Sequence, residues 1–236
     1  MMDSDFTFKY FGDVEKINAV LVGAEQKFNL RLNANISSSY LDTEIRFQIS
    51  TEDEKLKNDV LRYIVENLKD GLYSEIPATL SGRLFDLLTL RKLKIAVAES
   101  FTGGRVISEI IKHPGASEVV SEGIVSYSNE SKQRRLGVEK EALLTDGAVS
   151  SKVAYQMAAG LLSAGKCDVA VSTTGIAGPN SDYSKKPVGL CYIAVGNTTE
   201  IHVYKYIFTG DREEITETAK NAALFLAIKN IRNSRG

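Results

Sequence analysis

The stretch Ile95-Ala96-Val97-Ala98-Glu99-Ser100-Phe101-Thr102-Gly103-Gly104 constrains the fold of this chain more than any other. A short apolar run with the composition of a buried strand passes directly into small, hydroxylated and flexible residues. Thr102-Gly103-Gly104 lets the backbone turn tightly and open a helix, whose first N–H groups and positive dipole end favour a phosphate or a developing oxyanion. The Ser100 hydroxyl is placed to face such a site. The same residues also fit ordinary turn and N-cap chemistry, so the stretch alone leaves both readings open. It is not a G-x-S-x-G nucleophile elbow, because no glycine stands two residues before the serine.

With 236 residues, 43% hydrophobic and 25% charged, the chain can bury the core of one large domain or two smaller ones. Its amino terminus is acidic and lacks an apolar core, and no run is long enough to span a bilayer, so neither a signal peptide nor a membrane association is expected and the location expected is cytoplasmic. Cys167 and Cys191 match neither a zinc site nor a C-x-x-C redox pair. His113 and His202 are the only histidines, which makes neither a metal cluster nor a histidine triad. The base available to a hydrolase of this composition is a lysine.

Residues 1 to 90 hold 10 Lys+Arg and 15 Asp+Glu, a net of −5 against +4 for the remainder. The change of sign suggests two domains, 1–76 and 77–236, meeting near Ile76-Pro77. In the first, an aromatic extended run at Phe8 leads through Gly12-Asp13 into a helical pattern ending near Val22. Period-two runs follow at Lys27–Asn33 and Leu41–Ile49, separated by the turn-rich Asn35–Ser39, and then a helix with its stripe from Leu56 to Leu68. This predicts a small α+β unit. The second begins with a helix over Ser81–Arg91, reaches the strand at Ile95, and alternates helices with strands at Gly123–Ser128 and Asp168–Thr173. Helices are predicted over Thr102–Lys112, Asn129–Leu136 and Ser150–Ala164. A hairpin of Val188–Val195 and His202–Phe208 and a helix over Arg212–Ile231 complete it. The pattern predicts a three-layer α/β/α domain with a mixed sheet.

Four loops fall at predicted strand ends, where open α/β sheets place ligands. The first carries Ser100. The second, Tyr127-Ser128-Asn129-Glu130-Ser131-Lys132, offers Ser128 or Asn129 as N-cap and sets Lys132 near a helix start, where the dipole disfavours its positive charge. That placement, with partial burial, would lower the lysine's proton affinity and leave an amine able to deprotonate a serine; a solvated surface charge is the alternative. The third, Thr173-Thr174-Gly175-Ile176-Ala177-Gly178-Pro179, lets backbone approach a ligand. Its bare G-x-x-G resembles an RNA-binding loop but contains no basic residue. The fourth brings Arg212, either a bidentate phosphate donor or a partner for a surface carboxylate. The turn at His113-Pro114-Gly115-Ala116-Ser117 presents Ser117 as a further candidate.

Seven motifs then occur in order: Ala98-Glu99-Ser100-x-Thr102-Gly103-Gly104, Pro114-Gly115-Ala116-Ser117, Tyr127-Ser128-Asn129-Glu130-x-Lys132, Gly147-Ala148-Val149-Ser150, Thr174-Gly175-Ile176-Ala177-Gly178-Pro179, Lys186-Pro187-Val188-Gly189 and Gly210-Asp211-Arg212. Together, over about Ser81 to Ile231, they resemble the carboxy-terminal domain of the CinA (competence/damage-inducible protein) family. Residues 8 to about 75 resemble the KH-like middle domain of longer members through Lys9-Tyr10-Phe11-Gly12 and element order. The molybdopterin-binding-like first domain of full-length members has no counterpart here, and activity carried there is not expected.

The resemblance implies a nicotinamide-nucleotide amidohydrolase acting on nicotinamide mononucleotide, with no cofactor and no metal. It implies Ser100 as nucleophile, Lys132 as its base and Tyr127 relaying or polarising beside them. Ser117 and Thr174 would orient the carboxamide, and the backbones of Thr102, Gly103, Gly104 and of Gly175 through Ala177 to Gly178 would supply N–H donors. Arg212 would hold the phosphate, and Ser128, Asn129 and Glu130 would border the substrate. Two departures stand out. Phe101 occupies a position where many members have cysteine, and Asn180-Ser181-Asp182-Tyr183 replaces an acidic residue and paired glycines. The second departure leaves open a regulatory protein that binds a nucleotide without hydrolysing it. The net −5 of the first domain and the absence of G-x-x-G within residues 1 to 90 argue against nucleic acid. A scaffold or homo-oligomer role is the expectation for that domain.

Overall fold

The computed structural model describes residues 5–180 and 185–234. The chain divides into two compact units, Met1–Arg83 and Leu84–Gly236, and the division falls inside one helix a few residues beyond the expected boundary.

The first unit runs β1 (Asp5–Phe11), α1 (Val14–Phe28), β2 (Leu32–Ser39), β3 (Asp42–Ile49), α2 (Glu54–Leu68) and β4 (Leu72–Ser74). Its sheet has the order β2-β3-β1-β4 with antiparallel neighbours throughout, which is the ferredoxin-like arrangement of a β-α-β-β-α-β unit. Inward residues of β1 and β3 (Phe8, Ile45, Phe47, Ile49) bury against Ile17, Leu21 and Ala24 of α1 and Val60, Ile64 and Leu68 of α2. Each such aliphatic or aromatic side chain contributes about 1.5–3 kcal/mol when fully buried. The expected helix end near Val22 and strand at Lys27–Asn33 are both corrected. α1 continues to Phe28 and stops where Asn29 adopts the left-handed conformation (φ 50°, ψ 49°), a geometry asparagine tolerates. The supposed turn Asn35–Ser39 is strand, because it pairs residue for residue with β3 from Leu32↔Ile49 to Ser39↔Asp42.

The helix α3 (Leu80–Arg91) leads into the second unit. There follow β5 (Ile95–Glu99), α4 (Arg105–Ile111), α5 (Ala116–Val119), β6 (Val120–Val125), α6 (Asn129–Leu136), α7 (Lys140–Thr145), α8 (Ser151–Ser163), β7 (Val169–Gly175), β8 (Leu190–Gly196), β9 (Ile201–Ile207) and α9 (Arg212–Asn233). The sheet order is β6-β5-β7-β8-β9; the first three strands are parallel and the last two antiparallel. On one face α8 lays Ala154, Met157, Ala158 and Leu161 on Ala96, Ala98, Ala170 and Ala194 of the strands. α9 packs against β7 and β8 with α4 beside it, so the unit is three-layered with a mixed sheet. The short helices α5 and α7 carry too few residues to declare a period and were absent from the sequence expectation.

Register then sets the working end. Glu99 pairs with Val125 on one side and Thr173 on the other, so the residues following β5, β6 and β7 emerge together at the carboxyl ends of the parallel strands. Among the described residues no helix is long and apolar enough to cross a membrane.

One glycine fixes how α6 meets α8. A Cβ on Gly160 would lie 2.0 Å from the Leu136 carbonyl oxygen, so α6 is seated on bare α8 backbone. Alanine raises helix propensity by about 1 kcal/mol, yet at this position overpacking outweighs it. Gly160→Ala is expected to lower unfolding free energy by about 2 kcal/mol in urea titration, and to move α6, with Lys132 on it, off its seat.

Candidate functional site

Ser100 is the first residue beyond β5 and is 7% exposed. Its N–H donates to the Thr173 carbonyl (3.0 Å), extending the ladder one step past the strand, and its carbonyl accepts from Gly103 N–H (3.2 Å), which closes the turn. Gly103 and Gly104 have φ of 62° and 96°, a conformation suited to glycine. The expectation that Thr102, Gly103 and Gly104 offer backbone donors to a ligand gives way here. The carboxylate of Glu99, 1% exposed, accepts from the N–H groups of Gly104 (3.0 Å), Val106 (3.1 Å) and Ile107 (2.9 Å). The start of α4 is an anion site already filled by a side chain of the chain itself. The Thr102 hydroxyl is fully buried and bonds Thr173 Oγ1 at 2.7 Å, holding the loop to β7.

Lys132 sits on α6, which begins where Ser128 Oγ accepts from Ser131 N–H (3.1 Å). Its side chain runs back under the loop and is 1% exposed. Nζ lies 3.0 Å from Ser100 Oγ, 2.8 Å from the Ser126 carbonyl and 3.4 Å from the Tyr127 carbonyl. Burial pushes the ammonium down to about 8. Desolvation carries that shift. No carboxylate lies within ion-pair distance of this amine among the described residues.

These two side chains open into a cavity of about 280 Å³, whose lining includes Phe101, Tyr127, Val149, Thr174, Ala177 and Arg212. Tyr127 reaches Lys132 through its carbonyl oxygen, while its ring is exposed at the mouth. Thr174 donates its hydroxyl to the Ala148 carbonyl (2.7 Å). Gly175, Gly178 and Asn180 also line the cavity. Arg212, first residue of α9, donates from Nη1 to the Gly178 carbonyl (2.7 Å) and keeps its other guanidinium donors. The end of α9 is closed by a capping box between Asp211 and Glu214.

Several expected residues fall elsewhere. Ser117 lies in α5, which precedes β6, so it sits at the amino end of the parallel strands, away from Ser100. Ser128 is spent as N-cap, and Asn129 and Glu130 are exposed outside the cavity lining; Asn129 accepts from the Gln133 side chain and Glu130 pairs weakly with Arg134. Ser181, Asp182 and Tyr183, like the amino terminus and Arg235-Gly236, lie outside the described residues. Lys186 was quoted within a motif without a role. Its Nζ donates to the Asp146 (2.8 Å) and Val149 (2.6 Å) carbonyls and so braces the loop that supplies Ala148 and Val149. Among the described residues no cluster of three or more His, Cys, Asp or Glu is arranged to hold a metal ion.

The fold and this strand-end site define an α/β protein with a buried serine–lysine pair. Residues 77–231 match the family model described as CinA C-terminal domain, and the chain belongs to that family. It is 41% identical over 189 residues to a CinA-like protein of Fusobacterium nucleatum, covering 79% of this chain and 46% of the relative. The chain thus spans about half the length of the curated relatives it matches. Among solved structures it is similar to competence/damage inducible protein CihA from Agrobacterium tumefaciens (35% identity, TM-score 0.61, 66% of this chain and 99% of that one). It is also similar to a CinA superfamily protein from Klebsiella pneumoniae (27% identity, TM-score 0.64, 66% and 97%).

With Lys132 lowered to about 8, its neutral fraction, the form able to accept a proton from Ser100, falls tenfold per unit below that pH. Acylation or phosphonylation of Ser100 by a serine-directed reagent is therefore expected to rise with pH and reach half its plateau near 8, followed by intact-protein mass. Lys132→Arg, whose guanidinium stays charged, should lose this labelling across the range.

Proposed function

We propose that the chain is an amidohydrolase that converts nicotinamide mononucleotide and water to nicotinic acid mononucleotide and ammonia. The observation that carries the reading is the 3.0 Å contact between Ser100 Oγ and the Lys132 amine, whose hold on its proton burial weakens. The substrate comes from the family resemblance.

The contacts of Nζ suggest how the pair works. A neutral amine has two N–H groups and one lone pair. With its donors on the Ser126 and Tyr127 carbonyls, the lone pair faces the Ser100 hydroxyl. Lys132 takes the hydroxyl proton as Oγ attacks the carboxamide carbon, giving a tetrahedral intermediate. The ammonium then returns that proton to the leaving nitrogen, and ammonia departs from an acyl-serine ester. A water activated by the same amine cleaves the ester and restores both residues. The N–H groups of Gly175, Ala177 and Gly178 in the cavity lining are the proposed donors to the oxyanion, since the α4 start is occupied by Glu99 and the Ile176 N–H donates to the Leu190 carbonyl. Arg212 is the proposed phosphate ligand. Tyr127, exposed and at the mouth, is assigned to bordering the ring of the substrate, not to proton relay.

The test is direct. Wild-type protein incubated with nicotinamide mononucleotide should release ammonia and nicotinic acid mononucleotide in equal amounts, and Ser100→Ala and Lys132→Ala should each lose at least about 10³-fold in rate. Saturable nucleotide binding without product would support the regulatory alternative and overturn hydrolysis. Arg212→Ala should raise KM for the mononucleotide by about 10- to 100-fold while leaving turnover of the unphosphorylated riboside unchanged; equal effects on both would remove the phosphate assignment.

A further inference from the structure

We infer that the first unit carries a self-association surface, the free edge of β2, through which two copies of this chain join their four-stranded sheets about a two-fold axis at Asn35. This rests on the first unit alone and is independent of the chemistry proposed for the second.

β2 terminates its sheet and pairs with β3 over eight positions without a register break, so its outer side presents a long, regular row of backbone groups. Such edges template further strands unless charge, proline, a bulge or shortness blunts them. The other sheet edges among the described residues are blunted: β4 has three residues, β6 carries Glu122, and β9 carries His202 and Lys205. The sequence of β2, Leu-Asn-Ala-Asn-Ile-Ser-Ser-Ser, contains no charge and no proline. β2 carries no charge within a segment, residues 1 to 90, whose net is −5, so two copies meeting along it bring no like charges of these strands together.

The direction of its free groups can be worked out. Only Tyr40 and Leu41 separate Ser39 from Asp42, so that closing pair is the hydrogen-bonded kind, and alternate residues from Ser39 back to Asn33 point their N–H and C=O toward β3. Leu32 agrees, since its N–H donates to Glu25 Oε1 at 2.8 Å. Ala34, Ile36 and Ser38 therefore turn their backbone groups outward. An antiparallel copy centred on Asn35 sets Ala34 opposite Ile36 of the second copy, and Ile36 opposite Ala34, so each pair exchanges both N–H···O=C bonds.

Side chains complement one another in the same register. Exposed Ala34 leaves room for half-exposed Ile36 on the helix-bearing face, and on the open face Asn33 meets Ser37 while the two Asn35 carboxamides meet at the axis. A charged or bulky strand of unrelated sequence lacks this self-complementarity. A two-fold is the symmetry that reuses one patch on both partners.

Asn35 of each copy would form a non-hydrogen-bonded pair with Cα atoms about 4.5 Å apart, inside the range that accepts a disulfide. Ser37 and its own counterpart would stand on the order of 14 Å apart. The full chain should run at twice 25.9 kDa in light scattering at micromolar concentration. Under mild oxidation Asn35→Cys should convert to a disulfide-linked pair and Ser37→Cys should not; Cys167 and Cys191 are buried and do not compete. Asn35→Lys and Ala34→Pro, which add like charges at the axis or remove an outward N–H, should return the mass to one chain with the circular dichroism spectrum unchanged. A monomeric wild type, a dimer indifferent to both edge substitutions, or Ser37→Cys linking as readily as Asn35→Cys would each overturn the interface.

Discussion

The second unit is organised around keeping one amine dry. Lowering Lys132 from its ordinary value of 10.5 to about 8 corresponds to roughly 3 kcal/mol of shifted preference toward the neutral form, relative to a solvated lysine. That preference requires both exclusion of water and absence of a compensating carboxylate. The three-layer fold supplies the first, since α6 reaches the strand ends from outside the sheet and sends its lysine inward beneath Ser126. Sequence supplies the second, by giving Nζ two carbonyls and a hydroxyl as its neighbours. A carboxylate at any of those positions would restore the ammonium and remove the base.

Electrostatics at the rim follow a related logic. α4 and α9 are two of the helices that begin near the cavity, and a helix start is normally an attraction for anions. Both are neutralised from within the chain: α4 by the buried carboxylate of Glu99, α9 by Asp211 with Glu214. At these two starts the dipole is already met, so under the proposed function recognition of an anionic group falls to a side chain. Arg212, which lines the cavity and donates to the Gly178 carbonyl, is the side chain proposed for that role.

What the sequence disclosed, and what it withheld, follows from how local each cause is. β5 was legible because its burial on both faces makes a continuous apolar run, and α8 and α9 because long helices declare their period. Ser100 and Lys132 were legible as residues of the right chemistry at strand ends. β2 was not, since its Ser-rich end is strand only by virtue of pairing with β3, a partner its own residues do not announce. Glu99 was read past as a flanking residue; its three backbone partners lie five to eight residues on, and its role exists only once α4 has turned back over β5. Ser117 was misplaced for a topological reason. Segments that follow parallel strands collect at one end of the sheet and segments that precede them at the other, and motif order carries no record of which end a motif occupies. Lys186 braces Val149 from 37 positions away in sequence, so only the folded chain reveals it.

Phe101 ties the departure in sequence to the dryness of the site. The ring is 5% exposed and lines the cavity, and a Cβ on Gly175 would lie 3.0 Å from its Cε1, so the phenylalanine and the glycine are matched in size. A cysteine at that position would be smaller and would leave a gap beside β7 that a water molecule could enter. Water there would solvate charge close to Lys132 and relax the desolvation that lowers its proton affinity. The phenyl ring thus lines the cavity without offering a second nucleophile, which leaves the serine hydroxyl as the nucleophile of the proposed reaction.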